Sequence, residues 1–223
     1  MVFRILVTLA IAYLIGGIPV GLFIVKMISG KDVRHVGSGR VGGTNAMRAA
    51  GLAAGVLTAA LDAGKGILAG YLASVLVPSN AWVKVAAVIF AVVGQVYSVF
   101  LVRRNSLGKR ELHGGAGGST TLGGAISLFP LSWAIILPLA LLVFVFIGYA
   151  SVTTISIAFF ALVIFVVRAI SGTGPWVHAL YGGVTLIIVL IALQPNLKRL
   201  KHGTERVVGL RAWRKKKAEN KAQ

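Results

Sequence analysis

Six apolar runs, most of them long enough to cross a lipid bilayer, constrain this 223-residue chain more than any other feature. A helix needs about 20 mostly apolar residues to span the hydrocarbon core. With 57% hydrophobic and 13% charged residues, the chain has the composition of an integral membrane protein. Little sequence remains for a soluble catalytic domain, so a functional site must be built from loops and the ends of membrane spans. The runs are residues 5–28, 52–77, 81–102, 118–148, 152–170 and 176–193.

The distribution of lysine and arginine predicts the topology. Three segments are rich in these residues, namely 26–48, 103–110 and 198–221. Basic loops of membrane proteins tend to lie on the cytoplasmic side. An even number of spans must then separate the second segment from the third, which requires that Pro130 divide the run 118–148 into two spans. The sequence therefore predicts an all-α integral membrane protein of seven transmembrane helices, with its N-terminus outside and its C-terminus in the cytoplasm.

One of these seven helices is predicted to be half-length. Residues 118–129 are short for a span and rich in serine, threonine and glycine, as expected for a helix that lines a polar cavity. The run after Arg4 lacks a small-residue cleavage signature, so we expect a retained first helix rather than a signal peptide. The predicted organisation is a seven-helix membrane domain at residues 1–197, followed by a basic cytoplasmic tail at residues 198–223.

The composition also excludes several kinds of chemistry. The chain has no cysteine, which rules out disulfides, thiolate metal sites and a thioester intermediate. Five acidic residues and four scattered histidines do not suggest a two-metal site, so we expect neither a metal ion nor another cofactor. The net charge of +18 is explained by topology and by contact with anionic membrane lipids, and we expect no binding of nucleic acid.

The first basic loop, residues 29–51, carries the strongest functional signal. Its glycines expose backbone N–H groups, and its arginines offer planar guanidinium groups that match phosphate oxygens. It is not a Walker A loop, because no Gly-Lys-Ser/Thr follows. Such a loop can be only a connector, but its density of polar residues favours a site for a phosphorylated small ligand. The candidate residues are Ser38, Gly39, Arg40, Thr44, Asn45 and Arg48.

Two further polar elements are predicted to lie near this loop. Asp62 and Lys65 are three residues apart within the second span, so they share a helix face and can pair. The sequence leaves open whether this pair is structural or belongs to the site. The glycine-rich segment at residues 114–124 leads into the half-length helix, and such a turn binds anions through free N–H groups and the helix dipole. Ser151 and Asn196 follow on the same predicted side of the membrane.

These motifs resemble the bacterial acyl-phosphate-dependent glycerol-3-phosphate acyltransferase family, PlsY, over nearly the whole chain. Residues 36–48 are similar to the family's Gly-Ser-Gly-Asn-x-Gly-x-Thr-Asn-x-x-Arg element, and residues 61–66 to its Asp-x-x-Lys-Gly element. Residues 94–100 resemble its Gly-His-x-Tyr-Pro-Val-Phe element, and residues 114–120 resemble the Gly-Gly-Lys-Gly-x-x-Thr element that follows. Residues 149–151 and 196–205 are similar to the last two motifs.

The resemblance implies transfer of an acyl group from acyl phosphate to the 1-hydroxyl of glycerol 3-phosphate, giving lysophosphatidic acid without a metal. It implies a location in the bacterial inner (plasma) membrane, among membrane lipids, with a cytoplasmic active face; we expect a monomer. Catalytic roles would fall to Ser38, Arg48 and Asn196. Substrate and phosphate binding would fall to Gly39, Thr44, Asn45, Asp62, Lys65, Gly114, Gly115, Gly117, Thr120 and Ser151.

The chain departs from the family pattern at several polar positions. Arg40 stands where the family has asparagine, and Ala116 where it has a lysine that would contact phosphate. Gln95 and Leu193 each replace a histidine. Three interpretations are open: neighbouring cations compensate, the substrate has changed, or the activity is lost. A catalytically altered homologue that binds an anionic phospholipid or a phosphorylated metabolite is therefore the main alternative, and a small transporter is a weaker one.

The lost lysine and a basic insertion fall in the same loop. The segment before Gly114 is longer than the family pattern and contains Lys109 and Arg110. One of these two side chains could supply the charge that Ala116 lacks, or the insertion could be only a solvated surface loop. Arg48, which matches the family motif, is expected to matter more for ligand binding than Arg40.

Overall fold

The computed structural model describes residues 1–104, 108 and 110–221. Within these residues the chain forms α-helices connected by short turns, together with one antiparallel hairpin. Short 3₁₀ turns cover Val33–His35 and Pro130–Ser132, and a π-helical turn covers Val143–Ile147. The helices and strands are α1 (Val2–Gly17), α2 (Val20–Ser29), α3 (Gly43–Ala50), α4 (Leu52–Leu76), α5 (Ala81–Val96), β1 (Ser98–Arg104), β2 (Arg110–His113), α6 (Gly118–Leu128), α7 (Trp133–Leu142), α8 (Ala150–Ile170), α9 (Trp176–Ala192), α10 (Gln194–Lys201) and α11 (Gly209–Lys221).

The described helices include four segments that are long and apolar enough to cross a membrane. A fifth is counted if α9 and α10, which meet at a bend of 63°, form one broken span. Helix α5 is also apolar but shorter. Many large apolar side chains on these helices are exposed on the protein surface, as expected where lipid covers them. The four segments are Val2–Ser29, Leu52–Leu76, Pro130–Ile147 and Ala150–Ile170.

The first predicted run, 5–28, is two helices with a break at Pro19. Proline has no backbone N–H, so the hydrogen-bond ladder of α1 cannot continue through it. The N–H of Val20 donates to the Ile18 carbonyl at 2.9 Å, which leaves the Gly16 carbonyl without its helical donor. That carbonyl instead accepts a hydrogen bond from a lysine of α4, described below.

Small residues let the central helices approach closely. A Cβ atom added to Gly66 of α4 would lie 2.6 Å from the backbone nitrogen of Gly124 in α6. A Cβ atom added to Gly16 of α1 would lie 2.7 Å from the Ala91 Cα of α5. Membrane helices pack in this way because small residues allow backbone contact without a hydrophobic driving force. This close packing holds α4 and α6 against each other in the interior of the protein.

The short polar helix predicted at residues 118–129 is present as α6, and Pro130 ends it as expected. Almost all of α6 is buried, between α4 on one side and α8 and α9 on the other. The buried Tyr181 of α9 donates a hydrogen bond at 2.6 Å to the Thr121 carbonyl and packs edge-on against Phe165. These contacts hold α6 in place, so its N-terminus has a fixed position.

The predicted helical class is confirmed, and the short hairpin β1–β2 corrects only the end of the predicted run 81–102. Strand β1 includes the end of the predicted run 81–102, and it pairs with β2 through Val102 opposite Leu112 and Arg103 opposite Glu111. In β1 the side chain of Leu101 is buried, while those of Val99 and Val102 are exposed. A run of branched and aromatic residues suits a strand as well as a helix, and its length alone did not separate the two.

Candidate functional site

A cavity of about 160 Å³ opens where the first loop, the N-termini of α6 and α8, and the segment after α9 meet. Its walls come from parts of the chain that are far apart in sequence, as expected of a ligand site between helices. The structure brings together most of the predicted site residues from every motif. Those that line the cavity are Ser38, Thr44, Asn45, Arg48, Asp62, Gly117, Ser151 and Asn196.

Asn45 organises the first loop. Its side-chain nitrogen lies within hydrogen-bond distance of three carbonyl oxygens, at 3.1 Å from Val33 and 2.9 Å from both Val36 and Arg40. Its side-chain oxygen accepts a hydrogen bond at 3.1 Å from the backbone N–H of Ser38. The amide is thus occupied within the loop, and it fixes the backbone that carries Ser38 at the cavity wall. The predicted role of Asn45 in phosphate binding stays a prediction, and here the side chain acts as a clamp.

Arg48 presents a free guanidinium group to the cavity. Among the residues that the structure describes, it donates no hydrogen bond and has no carboxylate partner within ion-pair distance. Burial lowers its pKa, and the nearby charge of Arg206 lowers it further, yet an arginine remains protonated at neutral pH. Arg206 lies exposed at the mouth of the same cavity. The Asp62 and Glu205 carboxylates also line the cavity, but Asp62 is paired with Lys65 and Glu205 with Arg199. Among the described residues, neither carboxylate forms an ion pair with Arg48 or Arg206.

Arg40 crosses the cavity and connects three parts of the chain. One of its terminal nitrogens donates to the Gly115 carbonyl at 3.0 Å, and the other donates to the Ala192 carbonyl. Burial lowers its pKa, and Arg199 lowers it further. The guanidinium group thus sits next to Ala116, which also lines the cavity. Arg40, a cation of the first loop, therefore lies close to position 116, where the family pattern has a lysine.

Asp62 and Lys65 form a buried pair at the bottom of the cavity. The Lys65 amine lies 2.8 Å from one carboxylate oxygen of Asp62, and both side chains are under a tenth exposed. That amine also donates to the carbonyls of Gly16 at 3.0 Å and Ile18 at 2.9 Å, and to the side chain of Gln95. Gln95 in turn donates to Asp62 at 2.9 Å. Asp62 and Gln95 line the cavity, whereas Lys65 lies behind them and joins α4 to the break at Pro19.

The C-terminal wall contains buried polar atoms without a partner. Asn196 donates to one oxygen of Glu205 at 2.8 Å, and Arg199 donates to the other at 3.0 Å. The charge of Glu205 is therefore paired. Within the described chain, the side-chain oxygens of Asn196 and Ser151 are buried and accept or donate no hydrogen bond. Buried polar atoms nearly always have a partner, so these two oxygens at the cavity wall indicate contact with a ligand or water.

The glycine-rich turn sets the N-terminus of α6 against the cavity. Gly117 precedes α6 with φ of 87°, a left-handed conformation that favours glycine, and Gly117, Gly118 and Ser119 line the cavity. The N–H of Gly115 donates to the Gln95 carbonyl at 2.8 Å, which ties the turn to the end of α5. The α6 N-terminus adds partial positive charge to that of Arg40 and Arg48.

Five predicted binding residues do not line this cavity. Thr120 donates to the Asp62 carbonyl at 3.0 Å and is fully buried behind the wall, as is Lys65. Gly114 and Gly115 pack against the end of α5. Gly39 lines a smaller adjacent pocket with Arg103 and His113, whose pKa is lowered by burial and then by Arg40 and Arg103. These five residues lie behind or beside the cavity wall, and their predicted contact with substrate stays a prediction.

The basic insertion does not reach the cavity through its described residues. Arg110 begins β2, is exposed and is absent from the lining. Lys109 lies outside the described residues. Arg206 at the cavity mouth was not among the predicted site residues, although it directly follows Glu205. Of Arg40 and Arg110, only Arg40 lines the cavity beside Ala116 in this geometry.

Comparison with known proteins identifies the family. The profile of the family described as glycerol-3-phosphate acyltransferase matches residues 6–203. The chain belongs to this family. The glycerol-3-phosphate acyltransferase 2 of Moorella thermoacetica is 35% identical over 210 residues, which cover 93% of this chain and 99% of that protein. The glycerol-3-phosphate acyltransferase of Bordetella pertussis is 35% identical over 209 residues and covers 90% of each chain.

Solved structures of this acyltransferase family share the fold. The crystal structure of PlsY, an integral membrane glycerol 3-phosphate acyltransferase, in its glycerol 3-phosphate form aligns with a TM-score of 0.77 at 29% identity. The alignment covers 92% of this chain and 96% of the chain in the crystal structure. The lysophosphatidic acid form aligns with a TM-score of 0.74 at 26% identity, covering 92% and 95% of the two chains. The predicted PlsY family is confirmed, and this acyltransferase family member is an integral membrane protein.

Proposed function

We propose that this protein transfers an acyl group from acyl phosphate to the 1-hydroxyl of glycerol 3-phosphate, giving lysophosphatidic acid. The observation that carries the proposal is the free guanidinium group of Arg48 in a cavity with Arg40 and Arg206. A cluster of arginines in which Arg48 has no ion-pair partner among the described residues favours a phosphorylated ligand, because a guanidinium can bind phosphate oxygens with two parallel hydrogen bonds. The family relationship supports the same substrate class.

The proposed reaction needs positioning more than a protein nucleophile. The hydroxyl oxygen of glycerol 3-phosphate attacks the acyl carbon, a new ester bond forms, and the bond between that carbon and the phosphate oxygen breaks. The hydroxyl proton leaves with the released phosphate. Arg48 would hold phosphate oxygens, and the N–H groups at the start of α6 would stabilise the negative charge that develops. Such preorganised donors lower the barrier without a covalent enzyme intermediate.

Polar side chains around the cavity would orient the acceptor. The Ser38 hydroxyl and the free oxygens of Ser151 and Asn196 are suited to bind the glycerol hydroxyls. Thr44 and Asp62 would complete this polar wall. Lys65, Gly39, Gly114, Gly115 and Thr120 would contribute by holding the walls in place.

Donor specificity is tested with purified protein in lipid nanodiscs. Glycerol 3-phosphate is supplied with acyl phosphate, with an acyl-carrier thioester or with acyl-coenzyme A, and lysophosphatidic acid is measured. We expect lysophosphatidic acid to form with acyl phosphate as the donor and not with either thioester. Product from a thioester but not from acyl phosphate would overturn the proposed donor while leaving the acyltransferase function intact.

A homologue that binds its ligand without catalysis is the second candidate function. Ala116 and Leu193, which line the cavity, are apolar where the family pattern has a lysine and a histidine. This alternative predicts that glycerol 3-phosphate or an anionic lipid binds in the cavity and that no donor yields lysophosphatidic acid. Equilibrium binding measured beside the donor assay separates the two functions.

We propose that Arg40 compensates for the lysine that Ala116 replaces. Arg40→Ala should lower turnover by at least about tenfold, since a charge-assisted contact contributes about 1.5–3 kcal/mol. Adding Ala116→Lys to Arg40→Ala should restore part of the lost turnover, because residue 116 lines the same space. Initial rates for the wild type and these variants provide the measurement.

Arg110→Ala is the matched control for this prediction. Arg110 is exposed and does not line the cavity, so its removal should leave turnover near the wild-type value. If Arg110→Ala lost as much turnover as Arg40→Ala, the insertion would be the source of the charge and the assignment to Arg40 would be wrong.

We also propose the seven-span topology, with the N-terminus outside and the C-terminus in the cytoplasm of a bacterial inner membrane. The four long candidate spans, the bent pair α9–α10, the shorter α5 and the half-length α6 would be the seven. Residues 1–197 would form the membrane domain of a monomer and residues 198–223 its basic tail, although α10 runs across that boundary. The three basic segments would then share the cytoplasmic side.

Single cysteines in this cysteine-free chain test the topology. A membrane-impermeant maleimide applied to intact spheroplasts should label Leu131→Cys, an exposed position in the turn after α6. It should label Ala218→Cys in α11 only after the membrane is permeabilised. Labelling of Ala218→Cys in intact spheroplasts would contradict the seven-span arrangement.

A further inference from the structure

Helix α11 is a basic helix that begins at the end of a membrane-length apolar segment. Gly209, its first residue, packs against the π-helical turn Val143–Ile147, and a Cβ atom there would lie 2.7 Å from the Val145 carbonyl oxygen. That turn ends the candidate span Pro130–Ile147. The helix therefore starts at the level where a membrane span meets water. The family profile ends at residue 203, before α11 begins.

The composition of α11 matches an anionic lipid surface. Six of its thirteen residues are lysine or arginine, and Glu219 is the one acidic residue. Leu210 and Trp213 lie three residues apart on one helix face, and Trp213 is 59% exposed. The Lys217 amine lies 5.0 Å from the centre of the Trp213 ring. Tryptophan prefers the membrane interface, and clustered basic residues beside a span bind anionic headgroups.

The start of α11 is tied to the cavity. The Val208 N–H donates to the Gly148 carbonyl at 2.9 Å, and Val207 pairs with Tyr149 in an isolated β-bridge. Arg211 donates to the Tyr149 hydroxyl at 3.0 Å and lies over its ring. The segment before these contacts contains Glu205 and Arg206, which line the cavity. The position of α11 therefore affects one wall of the site.

We propose that α11 binds the anionic surface of the membrane and thereby holds the segment 205–208 against the cavity mouth. The net positive charge of the helix complements anionic headgroups, and Leu210 and Trp213 enter the interface beside the exposed Phe146 and Ile147. Lipid binding by α11 does not depend on catalysis. The effect of this lipid binding on the substrate rests on the proposed function: the KM for glycerol 3-phosphate is lower on anionic membranes.

Lipid binding is tested on the full-length protein carrying Ala218→Cys with an environment-sensitive fluorophore. The protein is placed in nanodiscs of phosphatidylcholine, either alone or with about a third phosphatidylglycerol. We expect blue-shifted emission and protection from an aqueous quencher in the anionic nanodiscs only, with reversal at high salt. The triple variant Arg214→Gln/Lys215→Gln/Lys217→Gln and the variant Trp213→Ser should lose most of this shift.

The matched control removes three exposed basic residues elsewhere, in Lys26→Gln/Lys31→Gln/Lys201→Gln, and should keep the shift. Identical emission in both kinds of nanodisc would overturn lipid binding, whether or not the protein is catalytically active. The KM for glycerol 3-phosphate should be lower in anionic nanodiscs for the wild type, and this difference should disappear in the triple α11 variant. A KM difference that persists in the triple variant would overturn the link between α11 and the cavity.

Discussion

Arg48→Ala is expected to lower turnover of glycerol 3-phosphate by about 10- to 100-fold. Arg48 lines the cavity and has no hydrogen-bond or ion-pair partner among the described residues, so its guanidinium is available for phosphate. A hydrogen bond to a charged group contributes about 1.5–3 kcal/mol, and each 1.4 kcal/mol is about a tenfold change. Arg48→Lys should lose nearly as much, because lysine keeps the charge but loses the planar fork. Equilibrium binding of glycerol 3-phosphate and initial rates give the two measurements.

Arg34→Ala is the control on the same loop. Arg34 pairs with Asp32 at 2.6 Å, an interaction that also lowers the Asp32 pKa to about 2, and it does not line the main cavity. An exposed pair of this kind contributes little to stability, so Arg34→Ala should bind and turn over substrate like the wild type. Unchanged binding in both Arg48 variants would remove Arg48 from the site and with it the proposed phosphate clamp.

Lys65→Met is expected to cause the largest loss of stability. The Lys65 amine compensates the charge of the buried Asp62 carboxylate. It also donates hydrogen bonds to the carbonyls of Gly16 and Ile18 near the break in the first apolar segment. Removing one partner of a buried pair costs about 3–5 kcal/mol, because the other charge is left uncompensated. For a chain of this size about 2–4 °C is lost per kcal/mol, so the midpoint of thermal unfolding should fall by about 6–20 °C. Thermal unfolding of the detergent-purified protein provides the measurement.

Two further variants serve as controls for the unfolding measurement on Lys65→Met. Lys26→Met changes an exposed lysine of α2 and should leave the midpoint almost unchanged. Asp62→Asn/Lys65→Met removes both charges and should be more stable than Lys65→Met alone, since no unpaired carboxylate remains. A midpoint for Lys65→Met equal to that of Lys26→Met would show that the buried pair contributes nothing to stability.

The sequence predicted many members of the cavity, and their roles stay predictions. Ser38, Arg48, Ser151 and Asn196 come from three separate motifs, and all four line one space. Motif spacing and charge placement were sufficient for this, because together they predicted that the motifs lie on the same side of the membrane. The short helix α6 was also predictable, since Pro130 and the count of basic segments together required a division of the run 118–148.

The remaining features depend on contacts that no local pattern encodes. Arg40 reaches carbonyls 75 and 152 residues away, so its position beside Ala116 appears only once the helices are packed. The Lys65 amine donates to the carbonyls of Gly16 and Ile18 beside the break at Pro19, a contact that the sequence pattern did not indicate. The predicted binding of substrate by Lys65 stays a prediction. The hairpin was missed because branched apolar residues are compatible with both strand and helix.

The most direct test of the account is the stoichiometry of the proposed reaction in purified protein. Wild-type protein in nanodiscs is given acyl phosphate and glycerol 3-phosphate, and lysophosphatidic acid, inorganic phosphate and free fatty acid are measured together. We expect lysophosphatidic acid and inorganic phosphate to appear in equal amounts, and the formation of both to depend on Arg48. Phosphate release accompanied by free fatty acid, or no release of phosphate from a protein that still binds glycerol 3-phosphate, would contradict this account.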